Sequence, residues 1–261
     1  MRSTFNPIRR NRNIGTSKQG HGQLNRLVVP DVAIAGERCT ALLNGAQVHR
    51  PIINGRRISL IVEENSGGCI HACTAEDVQV LLSHVPLSDW EGIALFVLRQ
   101  PTRKIRGLNP AWGRMYYYAD VRIRGSREAF TGPAIFLEAT LPEARLTWST
   151  SLDREDAEEL DRLRLDGHEV ERSGRRHVVS TNPEATRKTQ LYRTLLHEIG
   201  HWVDWLEKVE RPAEQMDFSI LSERYFARPK SEREAFAHRY AACLRKRLEE
   251  DRVIPFPKIM G

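Results

Sequence analysis

The sequence Thr-Leu-Leu-His-Glu-Ile-Gly-His-Trp-Val-Asp, at residues 194–204, places His197 and His201 four positions apart. Positions four apart lie on one face of an α-helix, so both imidazole rings project to the same side. Two such rings can each offer a nitrogen to one metal ion at about 2.0–2.1 Å, the Zn–N distance. Glu198 follows the first ring and can act on a metal-activated water without binding the metal. The stretch therefore predicts a hydrolytic zinc centre.

The residues around this stretch favour a long and largely buried helix. Asn182 is suited to cap it, Pro183 suits its first position, and the Arg-Pro pair at residues 211–212 ends it. Gly200 costs roughly 1 kcal/mol relative to Ala in a helix interior. We therefore expect another segment to approach the backbone closely at that glycine. The alternative is an amphipathic helix whose two histidines are partly exposed and bind no metal.

Every position from Thr194 to Val203 matches the extended signature of the zincin metallopeptidases, which this helix resembles. The resemblance says little about residues 1–90. It implies an α+β fold with a zincin-like catalytic domain, in which a mixed β-sheet packs on the active-site helix and on a second helix that carries a glutamate ligand. It also implies that an edge strand of the sheet binds substrate backbone, with residues 134–139 as the candidate among the predicted strands. The alternative is that all of these strands only form the core.

A catalytic zinc site needs a third protein ligand and keeps one position open for water. Residues 234–237 read Glu-Ala-Phe-Ala, which resembles the glutamate helix of gluzincins, especially the lethal-factor-like domains and, less closely, the ImmA/IrrE proteases. The resemblance implies that Glu234 is the third ligand, with Glu223 and Glu232 as alternatives. Ser231 and Glu234 also match a capping box, in which the carboxylate would bond a backbone amide instead.

Three further residues are candidates for supporting roles. Lethal-factor-like domains carry a tyrosine upstream of the ligand glutamate that helps to hold the oxyanion, and Tyr225 matches it at a slightly longer spacing. His238 stands where thermolysin-like gluzincins carry an aspartate, and is an oxyanion donor, a partner of a ligand or a surface residue. Asp204 either orients a ligand imidazole or forms an ion pair.

Composition divides the 261 residues into three parts. Residues 1–30 contain six basic residues and no acidic one, which accounts for the net charge of +6. This part is predicted to be a disordered basic arm that can contact nucleic acid or an acidic partner. Residues 31–88 form a small β-rich N-terminal region, either a subdomain or a part of the main domain. Residues 89–261 hold the zincin-like metallopeptidase domain.

Local patterns predict the secondary structure outside the active-site helix. Turn residues indicate hairpins, alternating apolar residues indicate strands, and capping residues indicate helix starts. They predict a β-hairpin that pairs residues 51–53 with 58–62, a short helix capped by Thr74, strands at 93–98, 115–123 and 134–138, a charged surface helix at 153–166 without a chemical role, and a hairpin at 169–180.

Several classes of protein are disfavoured by features that the sequence lacks. No apolar run reaches the 18 or so residues of a membrane span, and no signal peptide is evident. We expect a chain of the cytoplasm, or one exported by a route independent of a signal peptide. Cys69, His71 and Cys73 form a potential ligand cluster, but no second cysteine pair follows, so free thiols are favoured over a structural zinc site.

The sequence thus predicts a zinc metalloendopeptidase, with Zn²⁺ as cofactor and a protein or peptide as substrate. One alternative is a catalytically idle zincin-fold binding or regulatory module, and the intact Glu198 argues against it. The other is a nucleic-acid-binding protein that acts through its basic arm. Basic and acidic residues are equally numerous beyond residue 30, which argues against that alternative.

Overall fold

The computed structural model describes residues 38–102 and 112–259, and the predicted basic arm at residues 1–30 lies outside the described residues. Within these ranges the fold is α+β, with a six-stranded mixed sheet, a three-stranded antiparallel sheet, a short hairpin and several helices. No helix in the described ranges combines the length and the apolar character that crossing a membrane requires.

The elements are numbered here in chain order. The strands are β1 (Arg38–Leu43), β2 (Ala46–His49), β3 (Ile52–Ile53), β4 (Arg56–Arg57), β5 (Ser59–Glu63), β6 (Leu95–Arg99), β7 (Gly113–Ile123), β8 (Ala129–Glu138), β9 (Arg145–Ser149), β10 (Glu169–Ser173) and β11 (Arg176–Ser180). The helices are α1 (Ala75–His84), α2 (Leu87–Trp90), α3 (Arg154–Asp166), α4 (Pro183–Lys188), α5 (Leu196–Trp205), α6 (Phe218–Ala227) and α7 (Lys230–Glu250). The π-helical stretches Thr189–Leu195 and Leu206–Glu210 join α4 to α5 and extend α5, so residues 183–210 form one continuous central helix.

The six-stranded sheet is curled, with strand order β1-β7-β8-β6-β5-β2. β1 and β2 lie at its opposite edges, yet only Asn44 and Gly45 separate them in the chain. Three Cα–Cα steps span at most about 11 Å, whereas five strand spacings in a flat sheet span about 24 Å. The two edges must therefore approach each other. Strands from residues 38–63 and from residues 95–138 belong to this same sheet.

The strand expected to bind substrate at the sheet edge lies inside the sheet, so that expectation is wrong. β8 pairs with β7 on one side and with β6 on the other. Its apolar residues are buried on both faces, which a strand pattern does not distinguish from a half-buried edge strand. The first half of β7 is more open, because β1 pairs only with residues 118–123. Within the described ranges, no strand covers residues 113–117 on that side.

Two local capping signals predicted helix starts correctly. Thr74 caps α1 in a reciprocal capping box with Asp77, and Asn182 caps the central helix ahead of Pro183. The hairpin at residues 169–180 is also confirmed as β10 and β11. The first hairpin differs from its prediction. The turn at Asn54 joins β3 to β4, and the following strand β5 instead pairs with β2 and β6.

Two apolar cores lie on opposite faces of the curled sheet, and β8 contributes to both. Ile135 and Leu137 face the central helix and belong to the larger core with Trp202 and Trp205, whereas Phe136 belongs to the core on the other face. This alternation follows from the two-residue period of a strand. The larger core holds the central helix against the sheet and so positions the residues of the predicted site.

Candidate metal centre

Two packed helices bring the predicted site residues together. The α5 segment of the central helix carries His197, Glu198 and His201, and α7 crosses it with Glu234 one turn before His238. Gly200 permits this contact, because a Cβ built there would lie 3.0 Å from both the Cα and the carbonyl oxygen of α7 residue Ala237. The expected close approach at this glycine is confirmed.

The two histidines of the motif converge on one carboxylate oxygen. His197 Nε2 lies 3.2 Å and His201 Nε2 lies 3.5 Å from the same Oε2 of Glu234. Ligand atoms of a tetrahedral zinc ion, each at about 2.0–2.1 Å from the metal, lie about 3.3 Å apart. Two nitrogens and one carboxylate oxygen also match the donor types that zinc prefers. The residues present therefore fit a zinc ion in chemistry, and the two nitrogen–oxygen distances fit the spacing of its ligands.

A fourth side chain adjoins this group. Potential ligand atoms of His197, Glu234 and His238 all lie within 4.8 Å of one another, so these three residues could hold a metal ion. The ring centroid of His197 lies 4.4 Å from that of His238 and 4.7 Å from that of His201. The ligand set predicted from the motif and this set share His197 and Glu234. They differ in the second histidine, which is His201 in the motif-based set and His238 in this one.

The charge distribution favours an ionised carboxylate at the centre. Burial raises the pKa of the Glu234 carboxyl, but hydrogen bonds from His197 and His201 outweigh burial and hold that pKa well below its usual range. Burial, reinforced by the neighbouring His197, lowers the pKa of His238 to about 4. His238 is therefore uncharged at neutral pH.

The structure contradicts the capping-box explanation of Glu234. The helix α7 begins at Lys230 after Pro229, with no side-chain cap, so Ser231 already lies inside the helix. The two alternative ligands lie elsewhere: Glu232 is exposed and pairs with Arg228 at 3.5 Å, and Glu223 is exposed on α6. Among the three carboxylates, the geometry places only Glu234 at the histidine pair within the described ranges.

Glu198 is buried and held by the sheet. Its Oε2 accepts a hydrogen bond from the backbone N of Met115 on β7 at 2.6 Å. Gly113 allows this strand to approach so closely, because a Cβ there would lie 2.7 Å from the Phe136 carbonyl oxygen and 2.8 Å from Cγ2 of Thr194 on the central helix. The contact fixes one carboxylate oxygen and leaves Oε1 as the second acceptor.

Two supporting candidates lie away from this group. Tyr225 is only 2% exposed, and its hydroxyl lies 3.0 Å from that of Tyr117 within the aromatic part of the larger core. We assign it to packing, because its ring contacts those of Tyr117, Trp205 and Phe226. Asp204 is fully buried and pairs with Lys208 and Arg228, as in the ion-pair alternative.

Within the described ranges, the His197 ring lacks the hydrogen-bond partner that usually orients a metal-binding histidine. Such a ring usually donates its second N–H to a carboxylate or carbonyl group. Nδ1 of His197 is buried and has no hydrogen-bond partner among the described residues. The orientation of this ring therefore rests on the contact of its Nε2 with Glu234 and on its packing against His201 and His238.

A cavity of about 200 Å³ opens at His197 and His238, and several of its lining residues were not identified from the sequence. Arg193 lies four residues before His197, a spacing that places it on the same helix face. Glu159 belongs to α3, the charged helix for which the sequence predicts no chemical role, and it pairs with Arg193 at 2.9 Å. The lining residues are Trp112, Gly113, Glu159, Arg193, Thr194, His197, Glu198, Glu234 and His238.

Comparisons of the chain with protein families, with curated proteins and with solved structures find no significant match. The segment from Cys69 to Cys73 contributes no further metal-ligand group within the described residues, and both thiols are free and buried. The functional interpretation therefore rests on the geometry around His197 and Glu234.

Proposed function

We propose that the protein is a zincin-type metalloendopeptidase that uses zinc to hydrolyse peptide bonds. The observation that carries the proposal is the convergence of His197 Nε2 and His201 Nε2 on one oxygen of Glu234, at 3.2 and 3.5 Å, beside the buried Glu198. Two histidines and a carboxylate are the ligand set of several catalytic zinc sites that activate water.

His197, His201 and Glu234 would hold the metal, which when bound polarises a carbonyl group and makes water more acidic. Glu198 is placed to move the proton. Met115 N anchors its Oε2, so Oε1 remains to take a proton from the attacking water and to return it to the leaving amine. His238 lines the same cavity and can donate an N–H to the carbonyl oxygen as that oxygen gains charge.

The first half of β7 is suited to align the substrate. Residues 113–117 lie beside Glu198, and no described strand covers them on the side away from β8. An extended peptide could add to this edge through the main-chain groups that are not bonded to Glu198, the mode of recognition called β-augmentation. That mode requires an extended segment of several residues in the substrate. It therefore favours an endopeptidase over an enzyme whose substrate is a single amino acid.

Hydrolysis of a random peptide library tests this function. We expect the zinc-loaded protein to generate new peptide termini, detected by mass spectrometry. A zinc chelator should abolish the cleavage and added zinc should restore it, because the metal supplies the activation of water. A zinc-loaded, folded protein that produces no new termini would contradict the proposal and would favour an idle metal-binding module.

A further inference from the structure

A large groove adjoins the catalytic cavity and has no role in the chemistry described above. Its volume is about 890 Å³, within the range of about 300–1,000 Å³ that is typical of ligand sites. Trp112 and Glu159 line both the groove and the catalytic cavity, so the two are adjacent. Most of the remaining wall comes from the end of β8, from the segment that follows it, and from β9.

The strand β9 presents an edge to this groove. It is an outer strand of the three-stranded sheet, with β11 as its neighbour, and four consecutive residues, 145–148, line the groove. Thr181 N donates to Ala144 O at 2.9 Å, and bonded positions alternate along an antiparallel pair. Every second residue after Ala144 therefore bonds to β11. The residues between them direct their backbone N–H and C=O groups away from β11: Arg145, Thr147 and Ser149.

The side chains of the groove are those expected around an extended peptide. Trp112, Leu141 and Trp148 provide apolar surface, and Leu141 is 44% exposed.

We propose that this groove binds an extended segment of the polypeptide substrate, away from the bond that is cut, as a fourth strand on the edge of β9 that no described strand covers. The inference rests on the proposed peptidase function, since the groove adjoins the catalytic cavity. A bulky apolar side chain of that segment packs against Trp112, Leu141 and Trp148. Two edges would then recognise one substrate: β7 beside Glu198 and β9 along the groove.

The test measures binding separately from hydrolysis. A library of random peptides, long enough to extend from the catalytic cavity along β9, is displayed on phage and selected on full-length protein carrying Glu198→Gln. Dissociation constants of the selected peptides are then measured by fluorescence anisotropy. Thr147→Pro, in the same background, removes one outward N–H without removing a bond to β11. We expect it to weaken binding by about tenfold.

Matched variants separate this effect from a general loss of structure. Arg172→Pro places proline at an outward position of β10, on the opposite edge of the same sheet, and should bind the peptides like the parent. Leu141→Asp introduces a charge into the apolar wall and should also weaken binding by about tenfold or more. Leu165→Asp changes a leucine that is 79% exposed on α3, outside the groove, and should have no effect.

Each outcome decides the proposal. Failure to select any peptide, or peptides that bind Thr147→Pro and Leu141→Asp as tightly as the parent, would overturn it even if the wild-type protein cleaves peptides. Weaker binding by both variants, with both controls unchanged, would support it. If that pattern occurs in a protein that cleaves nothing, the groove stands as a peptide-binding site and the proposed hydrolysis fails.

Discussion

Replacing Glu198 with Gln is expected to lower peptide hydrolysis by about a thousandfold while zinc remains bound. The amide keeps the shape of the side chain and can still meet Met115 N through its carbonyl oxygen, but it cannot take a proton from water. General-base catalysis contributes about 10²–10⁴-fold to rate, and Glu198 is the buried carboxylate next to the histidines. Initial rates on a cleaved peptide, measured beside zinc content, check the prediction.

Glu207→Gln provides the control for this substitution. It makes the same chemical change on the central helix, at an exposed position that does not line the cavity. We expect its rate to equal that of the wild type. A Glu198→Gln protein that retains zinc and works within about tenfold of the wild-type rate would show that another group accepts the proton.

Replacing Asp166 with Ala is expected to lower the free energy of unfolding by about 3–5 kcal/mol. Asp166 is fully buried at the end of α3 and accepts from Arg193 at 2.7 Å, from Arg245 at 2.9 Å and from the Thr189 hydroxyl at 2.8 Å. These bonds join α3 to the central helix and to α7, the helices that form the metal centre. Alanine would leave the guanidinium groups without this shared partner in a buried position.

Urea denaturation measures the effect, and Asp161→Ala is its control. Asp161 lies on the same helix and pairs with Arg164, but its side chain is 72% exposed. Exposed pairs contribute about 0–1 kcal/mol, so the control should unfold nearly like the wild type. Equal stability losses for the two variants would contradict the assignment of Asp166 as a buried connection between the three helices.

Features determined by neighbouring residues could be predicted from the sequence. Thr74 and Asn182 mark helix starts because their side chains bond backbone amides only three residues ahead. The spacing of His197 and His201 likewise needs only the repeat of one helix. The close approach at Gly200 could be anticipated from the residue type, although not which segment approaches.

Features determined by contacts between distant segments could not be predicted from the sequence. The interior position of β8 depends on pairing with two strands that are remote in sequence, so its apolar pattern did not show that it lacks a free edge. Glu234 matched both a ligand and a cap, and only the start of α7 at Lys230 separated the two. Glu159 had no signal of its own, because its cavity position depends on how α3 packs against the central helix.

The zinc content of the purified full-length protein tests the central claim most directly. We expect about one zinc ion per chain in the wild type and in Glu223→Ala, and almost none in Glu234→Ala, because only the last variant removes the oxygen that both histidines approach. Circular dichroism would confirm that all three proteins are folded. A folded wild-type protein without zinc, or a Glu234→Ala protein that retains it, would contradict the assigned metal centre.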